Sequence, residues 1–262
     1  MKKLKLLIVS LILVTALTAC NKNENKDSTP AASGKATGST ITSKKNVTTI
    51  DSIALYDGTP FYLENEDGKM VYNDECLLGE SLKIYVVDGE IEQKEAIRLL
   101  SSGKEESFNF VHINYYDNDY WTRDIFITNN KDLIPGIITT DTLTYSAADG
   151  TTATSKKLEE GTVVAIDPAS KQTDSDLGID FLSVTYYSGT AFGKTAFVKM
   201  DSLSDYPGDI IAKQTISRIL ANESIKPEIA DILFENLEAI PTSDYMSQKI
   251  EEAKIQESDR RK

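Results

Sequence analysis

The spacing of apolar residues divides the chain into four stretches. Residues 6–17 form an apolar run, whereas residues 20–49 are mostly small or polar. Between residues 50 and 206, short apolar runs alternate with turn signals at the two-residue period that is typical of β-strands. From residue 207 to residue 262 the period changes to that of amphipathic helices. The pattern predicts a mainly β protein with a helical C-terminal region.

The first stretch has the layout of an export signal. Lys2, Lys3 and Lys5 precede the apolar run at 6–17, which is interrupted only by a serine and a threonine. Twelve residues suit the apolar part of a signal peptide, whereas a membrane-spanning helix needs about 20. The run ends in Leu17–Thr18–Ala19–Cys20, and here the sequence resembles the lipobox of bacterial lipoproteins.

This resemblance implies where the protein is located. In bacterial lipoproteins the cysteine thiol carries a diacylglyceryl group, and a peptidase removes the signal peptide, here residues 1–19. We therefore expect fatty acyl chains on Cys20 to hold the protein on the extracytoplasmic side of a bacterial membrane, because two or three chains anchor stably. Residues 20–49 are predicted to be a disordered tether. An inner and an outer membrane both remain open.

Several runs in the β region predict individual strands. Residues 90–100 fit either a strand or a short helix, so their assignment stays open. The clearest strand signals are 82–87, 108–113, 162–166, 181–187 and 195–200.

The β region also contains two similar units, 50–131 and 132–206. The second unit resembles the bacterial Src-homology-3-like domain: Leu158–Glu159–Glu160–Gly161 precedes a strand, and an aromatic-led segment runs from Thr195 to Leu203. Phe197 stands where that family usually has tryptophan. In the first unit, residues 88–107 look like an insertion. The resemblance implies two small β-barrels in tandem, followed by two to three helices.

Aromatic residues are the candidate ligand contacts. They recur near the paired tyrosines of each unit, and aromatic-lined grooves bind extended peptides in relatives of this fold. The resemblance therefore implies binding of cell-wall peptides, as in peptidoglycan, or of an envelope protein. Alternation along a strand should bury one tyrosine of each pair and expose the other. The alternative to ligand binding is that these aromatic side chains fill the cores of the barrels. The candidates are Tyr116, Tyr120, Trp121, Tyr187 and Phe192.

Three helices are indicated in residues 207–262. Asp209 can cap the first, and the second spans about 226–240. A third follows Pro241, capped by Thr242 or Ser243, and its end is predicted to be frayed. These helices either pack on the second barrel or dock a partner, and the second possibility is the alternative function.

The net charge of the chain narrows the classes of molecule that it can bind. The chain has 28 basic and 41 acidic side chains, and removal of residues 1–19 takes away three lysines, which leaves a formal charge of −16. Such a surface repels nucleic acid.

No catalytic, metal or cofactor site is predicted. His112 is the single histidine and lies within a strand pattern, so a structural role is expected. Cys76 cannot pair with an acylated Cys20, and its apolar neighbours predict a buried thiol. The acidic segment 174–180 departs from a calcium loop at Ile179, where glycine is needed. We expect a non-enzymatic protein whose oligomeric state the sequence leaves open.

Overall fold

A computed structural model describes residues 45–261, apart from 101 and 131. Within that range the chain forms two β-sheets followed by three α-helices, which confirms the mainly β prediction with a helical C-terminal region. The predicted signal peptide, Cys20 and most of the predicted tether lie outside the described residues. The first strand begins at Val47, so the last three residues of the predicted tether, 47–49, belong to a strand.

The first sheet contains eight strands. The strands are β1 Val47–Ile53, β2 Thr59–Glu64, β3 Met70–Cys76, β4 Ser81–Val87, β5 Glu90–Ile91, β6 Gln93–Leu99, β7 Glu105–Tyr115 and β8 Asn118–Arg123. Most of the segment 90–100, ambiguous in sequence, is strand, because β5 pairs with β4 and β6 pairs with β7. The pairings β7–β6, β6–β3, β3–β2, β2–β8 and β8–β7 form a closed cycle, and β4 and β1 extend from β7.

Strand β7 contributes to two separate cores because successive side chains point to opposite faces. Val111 and Ile113 enter a core that also holds Phe61 and Cys76. Phe110 enters the other core, with Tyr62 and Met70. Both faces of this strand are therefore covered, which fixes its register with its neighbours.

The second sheet contains seven strands in the order β11-β10-β14-β13-β12-β9-β15. Alternation along β12 again serves two surfaces: Val164 and Ile166 enter the core of this sheet, whereas Val163 faces the helices. The strands are β9 Ile134–Ile138, β10 Thr142–Tyr145, β11 Ala153–Leu158, β12 Val163–Asp174, β13 Ile179–Tyr186, β14 Lys194–Lys199 and β15 Leu203–Ser204.

The two sheets contact each other directly. Ile53 and Leu55, at the end of β1, pack against Ala165 of β12. Close to this contact the chain adopts a positive φ of 77° at Gly193, where a Cβ atom would lie 2.6 Å from the Leu55 side chain. Glycine is required there both by the conformation and by the close approach.

Three helices follow: α1 Pro207–Ala221, α2 Pro227–Glu238 and α3 Asp244–Arg260. Their apolar side chains share one core with Ile137 of β9 and Val163 of β12, and Leu78 of the first sheet packs against it. The helices therefore pack on the body of the protein. In the described part of the chain, no helix is both long and apolar enough to cross a membrane.

Two helix ends differ from the sequence predictions. Asp209 does not cap α1, which begins at Pro207; the carboxylate instead lies buried in the first turn. The end of α3 is not frayed, since the helix runs to Arg260 and the Arg261 guanidinium lies 3.0 Å from the Asp231 carboxylate. The predicted cap at Ser243 is confirmed, because its hydroxyl accepts a hydrogen bond from the Met246 N–H at 3.2 Å.

Candidate functional site

Two of the candidate aromatic residues lie at the β7–β8 hairpin. Tyr116 is at the tip, 73% exposed, with its ring 4.5 Å from that of Tyr115. Tyr120 turns inward and stacks on Phe61 at 5.2 Å, with an interplanar angle of 21°. Of the two, Tyr116 alone is free for a ligand, since Tyr120 serves the core.

Trp121 faces the other side of β8, because it follows Tyr120 in a strand. Its ring stacks on His112 at 4.7 Å, and His112 packs against Tyr85 at 4.4 Å. The Lys94 ammonium lies 4.2 Å from the Trp121 ring centroid, and His112 Nδ1 lies 2.7 Å from a carboxylate oxygen of Glu92. These rings cover one another, so His112 has the packing role predicted for it.

The remaining candidates, Tyr187 and Phe192, lie where the two sheets meet. The Tyr187 ring is 4.9 Å from the Tyr56 ring and 6.2 Å from the Phe126 ring. Tyr56 and Phe126 both belong to the first unit, residues 50–131. Phe192 donates its backbone N–H to the Asp124 carbonyl at 2.8 Å and packs against the first core. The structure therefore separates the five candidates into three places, and only this last one joins both sheets.

A polar cleft of about 520 Å³ opens beside this contact, and we call it the junction cleft. Strands β6 and β7 form one wall, and the turn after β8 forms the other together with one residue of the β13–β14 loop. It is lined by Glu95, Ser107, Phe108, Asn109, Arg123, Asp124, Ile125 and Ala191.

Arg123 is the unusual residue of the junction cleft. Its guanidinium carbon lies 3.8 Å from the centroid of Phe108 and 5.3 Å from that of Phe126. Its Nε atom is buried without a hydrogen-bond partner among the described residues, and no described carboxylate lies within 4.0 Å of the group. A buried donor left in this state costs about 1–3 kcal/mol.

The charge of Arg123 persists despite its surroundings. Burial lowers the pKa of the guanidinium, and the positive charge of Arg98 lowers it further, while Tyr62 and Asp124 act in the opposite direction. Arginine nevertheless stays protonated in proteins. The junction cleft therefore contains a permanent cation with an aromatic ring against its face.

Asp124 completes the polar lining. Burial raises the pKa of its carboxyl, whereas hydrogen bonds from the Ile125 backbone and the Asn109 side chain lower it. On the other wall, the Ser107 hydroxyl donates to the Glu95 carboxylate at 2.7 Å. Among the residues the structure describes, no group of three His, Cys, Asp or Glu is placed to hold a metal ion. The lining thus combines one guanidinium group, several hydrogen-bonding side chains and an aromatic ring.

Sequence reasoning missed Arg123 and Asp124. They follow Trp121 after one threonine. The lack of a carboxylate within 4.0 Å of Arg123 depends on residues far away in the chain, and no local pattern reports it.

A second cleft, of about 360 Å³, lies between α1 and the first sheet. The side-chain amide of Gln214 spans it and donates to the Leu78 carbonyl at 2.6 Å. Cationic residues of the helix face acidic residues of the sheet there. It is lined by Asp57, Gly58, Glu75, Leu77, Leu78, Val163, Lys213, Gln214, Ser217, Arg218 and Ala221.

Comparison with known proteins gives little similarity. No protein-family model and no curated protein sequence matches the chain. Among solved structures, NlpC2 and NlpC1 from Trichomonas vaginalis are 14% and 13% identical over 65% and 68% of this chain, each with a TM-score of 0.21. The chain spans 56% and 55% of those two chains, just over half of each. At that TM-score the similarity supports no inference about fold or activity.

Proposed function

We propose that this chain is a non-catalytic lipoprotein of the bacterial cell envelope that binds peptides outside the cytoplasm. Acyl chains on Cys20 hold it to a membrane, and residues 20 to about 46 give the folded part reach. The peptide comes from the cell wall or from an envelope protein. The order of positive, apolar and lipobox residues supports the anchor.

The two sheets are, in this proposal, tandem Src-homology-3-like barrels. The closed cycle of strand pairings in the first sheet supports a barrel there. The family's sequence features lie mainly in the second, between Leu158 and Leu203. The proposed units correspond to residues 50–131 and 132–206.

The observation that carries the proposal is the junction cleft, together with Tyr187, whose exposed ring stacks on Phe126, the ring that the Arg123 guanidinium also approaches. A guanidinium group, hydrogen-bonding side chains and aromatic rings are thus combined in one region, and such mixtures suit peptide recognition. The acidic surface disfavours nucleic acid as the ligand.

The alternative, docking of a partner through the helices, has less support. The apolar faces of α1, α2 and α3 are used in a common core with the second sheet. Gln214 also fastens α1 to the first sheet. These contacts favour a packing role for the helices.

Retention on purified peptidoglycan sacculi tests the proposal. The full-length chain, kept in non-ionic detergent, should sediment with sacculi, and Tyr187→Ala should weaken retention about tenfold, or about 1.4 kcal/mol, because an exposed ring next to the cleft is lost. The measurement is the bound fraction as a function of sacculus concentration.

Tyr206→Ala is the matched control, since Tyr206 is also an exposed tyrosine but lies at the start of α1. It should bind as the parent chain does. Equal retention of the Tyr187 and Tyr206 variants would show that the junction cleft is not the binding site, and no retention of the parent chain would reject cell-wall binding.

A further inference from the structure

The inner face of the first sheet holds a second buried polar group close to Arg123. Tyr62 is fully buried, and its hydroxyl has no hydrogen-bond partner among the described residues. The Arg98 guanidinium carbon lies 5.5 Å from the centroid of the Tyr62 ring. Arg123 and Arg98 both act on the ionisation of Tyr62, whose pKa is raised by burial and lowered by these two charges. Arg98 therefore lies over the Tyr62 ring, and Arg123 lies on Phe108, which packs against the same core as Tyr62.

Neither arginine has a carboxylate partner, which sets them apart from their neighbours. On the same sheet Lys69 pairs with Glu105 at 2.5 Å, and Lys94 pairs with Glu64 at 2.5 Å. Among the described residues, no carboxylate lies within 4.0 Å of Arg98 or Arg123. Arg98 is half-buried and Arg123 has a buried Nε atom without a partner, so both differ from an exposed lysine without an ion pair, whose charge is solvated.

Glu106, an acidic residue that could pair with Arg98, already pairs with a lysine. Glu106 lies opposite Arg98 in the β6–β7 register, but its carboxylate bonds to the Lys104 ammonium at 2.7 Å. Its pKa is lowered chiefly by that lysine, and only to a smaller degree by Arg98 and Arg123. The Arg123 Nε atom and the Tyr62 hydroxyl are thus buried donors without an acceptor, and Arg98 has no carboxylate within 4.0 Å among the described residues.

We propose that Arg98 and Arg123 bind a carboxylate group of a ligand, with the Tyr62 hydroxyl as a third donor. The identity of the ligand as a peptide rests on the proposed function, whereas the site itself does not. A guanidinium whose face lies on a ring offers its edge, which matches the two oxygens of a carboxylate.

Charge favours a carboxylate over a doubly charged phosphate. Glu106 and Asp124 lie near the two arginines and offset part of their positive charge. The site therefore suits a ligand group with one negative charge. Arg98 covers the Tyr62 ring, so rotation of this long side chain is the movement that gives a ligand oxygen access to the hydroxyl.

Calorimetric titration of the full-length chain in detergent tests the site with two small probes. N-acetylalanine carries a single carboxylate, and N-acetylalaninamide is the same molecule without that charge. The first should bind with a dissociation constant in the millimolar range, and the second should give no binding. Arg123→Gln and Arg98→Gln should each weaken binding of N-acetylalanine at least tenfold, and Tyr62→Phe should weaken it severalfold.

Lys156→Gln is the matched control, because Lys156 is an exposed cation on β11, in the other sheet. It should bind as the parent chain does. Thermal unfolding identifies any variant that fails to fold, and Arg98→Gln provides the test if Arg123→Gln does so. Equal binding of both probes, binding of inorganic phosphate without N-acetylalanine, or an unchanged affinity of Arg98→Gln would overturn the proposal.

The two proposals fail separately. Loss of N-acetylalanine binding in the arginine variants, together with no retention on sacculi, would support the carboxylate site and reject the cell-wall ligand. Retention on sacculi that depends on Tyr187 but not on Arg98 would support the proposed function and reject the carboxylate site.

Discussion

Cys76 shows what a single buried side chain contributes to this molecule. It ends β3 and lies in the first core beside Phe61 and Ile84, 1% exposed. Burial raises the pKa of its thiol, and the charges of Glu80 and Glu75 raise it further. The sequence prediction of a buried thiol is confirmed, and the residue behaves as a small apolar group.

The raised pKa of Cys76 predicts an unreactive thiol. Because the thiolate is the nucleophile and the folded protein disfavours it, Cys76 should react with a disulfide reagent at pH 8 at least a hundredfold more slowly in the folded protein than in urea. The measurement is the release of the coloured thiol from the reagent, using Cys20→Ala so that Cys76 is the cysteine that reports. Equal rates with and without urea would contradict the buried position.

Arg123, unlike Cys76, is a residue whose chemistry does not match its surroundings. Arg123 is half-buried against Phe108 and Phe126, and a charged group in such surroundings is unfavourable without a partner. Such local disagreement between residue and environment is often found at functional sites. The proposed carboxylate site accounts for this one.

At the scale of elements, Asp209 connects three segments of the chain. Its carboxylate accepts from the Ser204 hydroxyl at 2.6 Å, and from the Ser243 backbone N–H and hydroxyl at 2.9 and 2.6 Å. Ser204 belongs to β15, Asp209 to α1, and Ser243 caps α3. This buried acid therefore sets where both helices begin relative to the second sheet.

Asp209→Ala should lower the free energy of unfolding by about 2–4 kcal/mol, because it removes three hydrogen bonds to a charged group and leaves buried donors unpaired. Urea unfolding followed by circular dichroism measures this. Asp205→Ala removes a nearby exposed acid and should change stability by less than about 0.5 kcal/mol. Similar losses in both variants would mean that the Asp209 hydrogen bonds contribute little.

The buried faces of the helices agree only in part with the sequence pattern. On α3 the sequence places Met246, Ile250 and Ala253 in one apolar stripe, and all three are buried. On α2 the sequence places four apolar residues on one face. Leu237 is buried and Leu233 packs against the core, whereas Ile229 and Ile232 are exposed. A short helix with apolar residues on several sides does not show by itself which side meets the core.

At the scale of the whole molecule, the two sheets and the helices are joined by shared cores. The two predicted units suggested barrels in sequence, but Tyr187 and Phe192 of the second pack against the first. Helix α1 contacts both sheets, through Ile210 and Gln214. The junction cleft exists because of these contacts, so neither unit alone would form it.

Attachment to a membrane is the remaining prediction at this scale. Bacteria that express the chain and grow with a radioactive fatty acid should label it, and Cys20→Ala should lose the label, because the acyl chains are expected on that thiol. Cys76→Ala, which removes the other cysteine, should keep the label. Equal labelling of the two variants would overturn the lipoprotein assignment.

Local patterns determined much of this fold. The two-residue period indicated segments of β4, β7, β12, β13 and β14, and the cap expected at Thr242 or Ser243 located the last helix. Alternation predicted one buried tyrosine in each pair, and in the second pair Tyr186 is buried and Tyr187 exposed. These features depend on residues close together in sequence, so one chain is enough to predict them. Most of the segment 90–100 is the exception, because pairing with β4 and β7 decided its structure.

Tertiary structure alone decided the candidate site. The sequence named five aromatic residues, but the packing of the strands put Tyr120 on Phe61, Trp121 on His112, and Tyr187 on Tyr56 and Phe126. Arg123 and its missing partner depend on the approach of β2, β6, β7 and the β13–β14 loop, which are far apart along the chain. The alternation of apolar and polar residues indicates which face of a strand a side chain lies on. Only the order and packing of the strands determine which residues it contacts on that face.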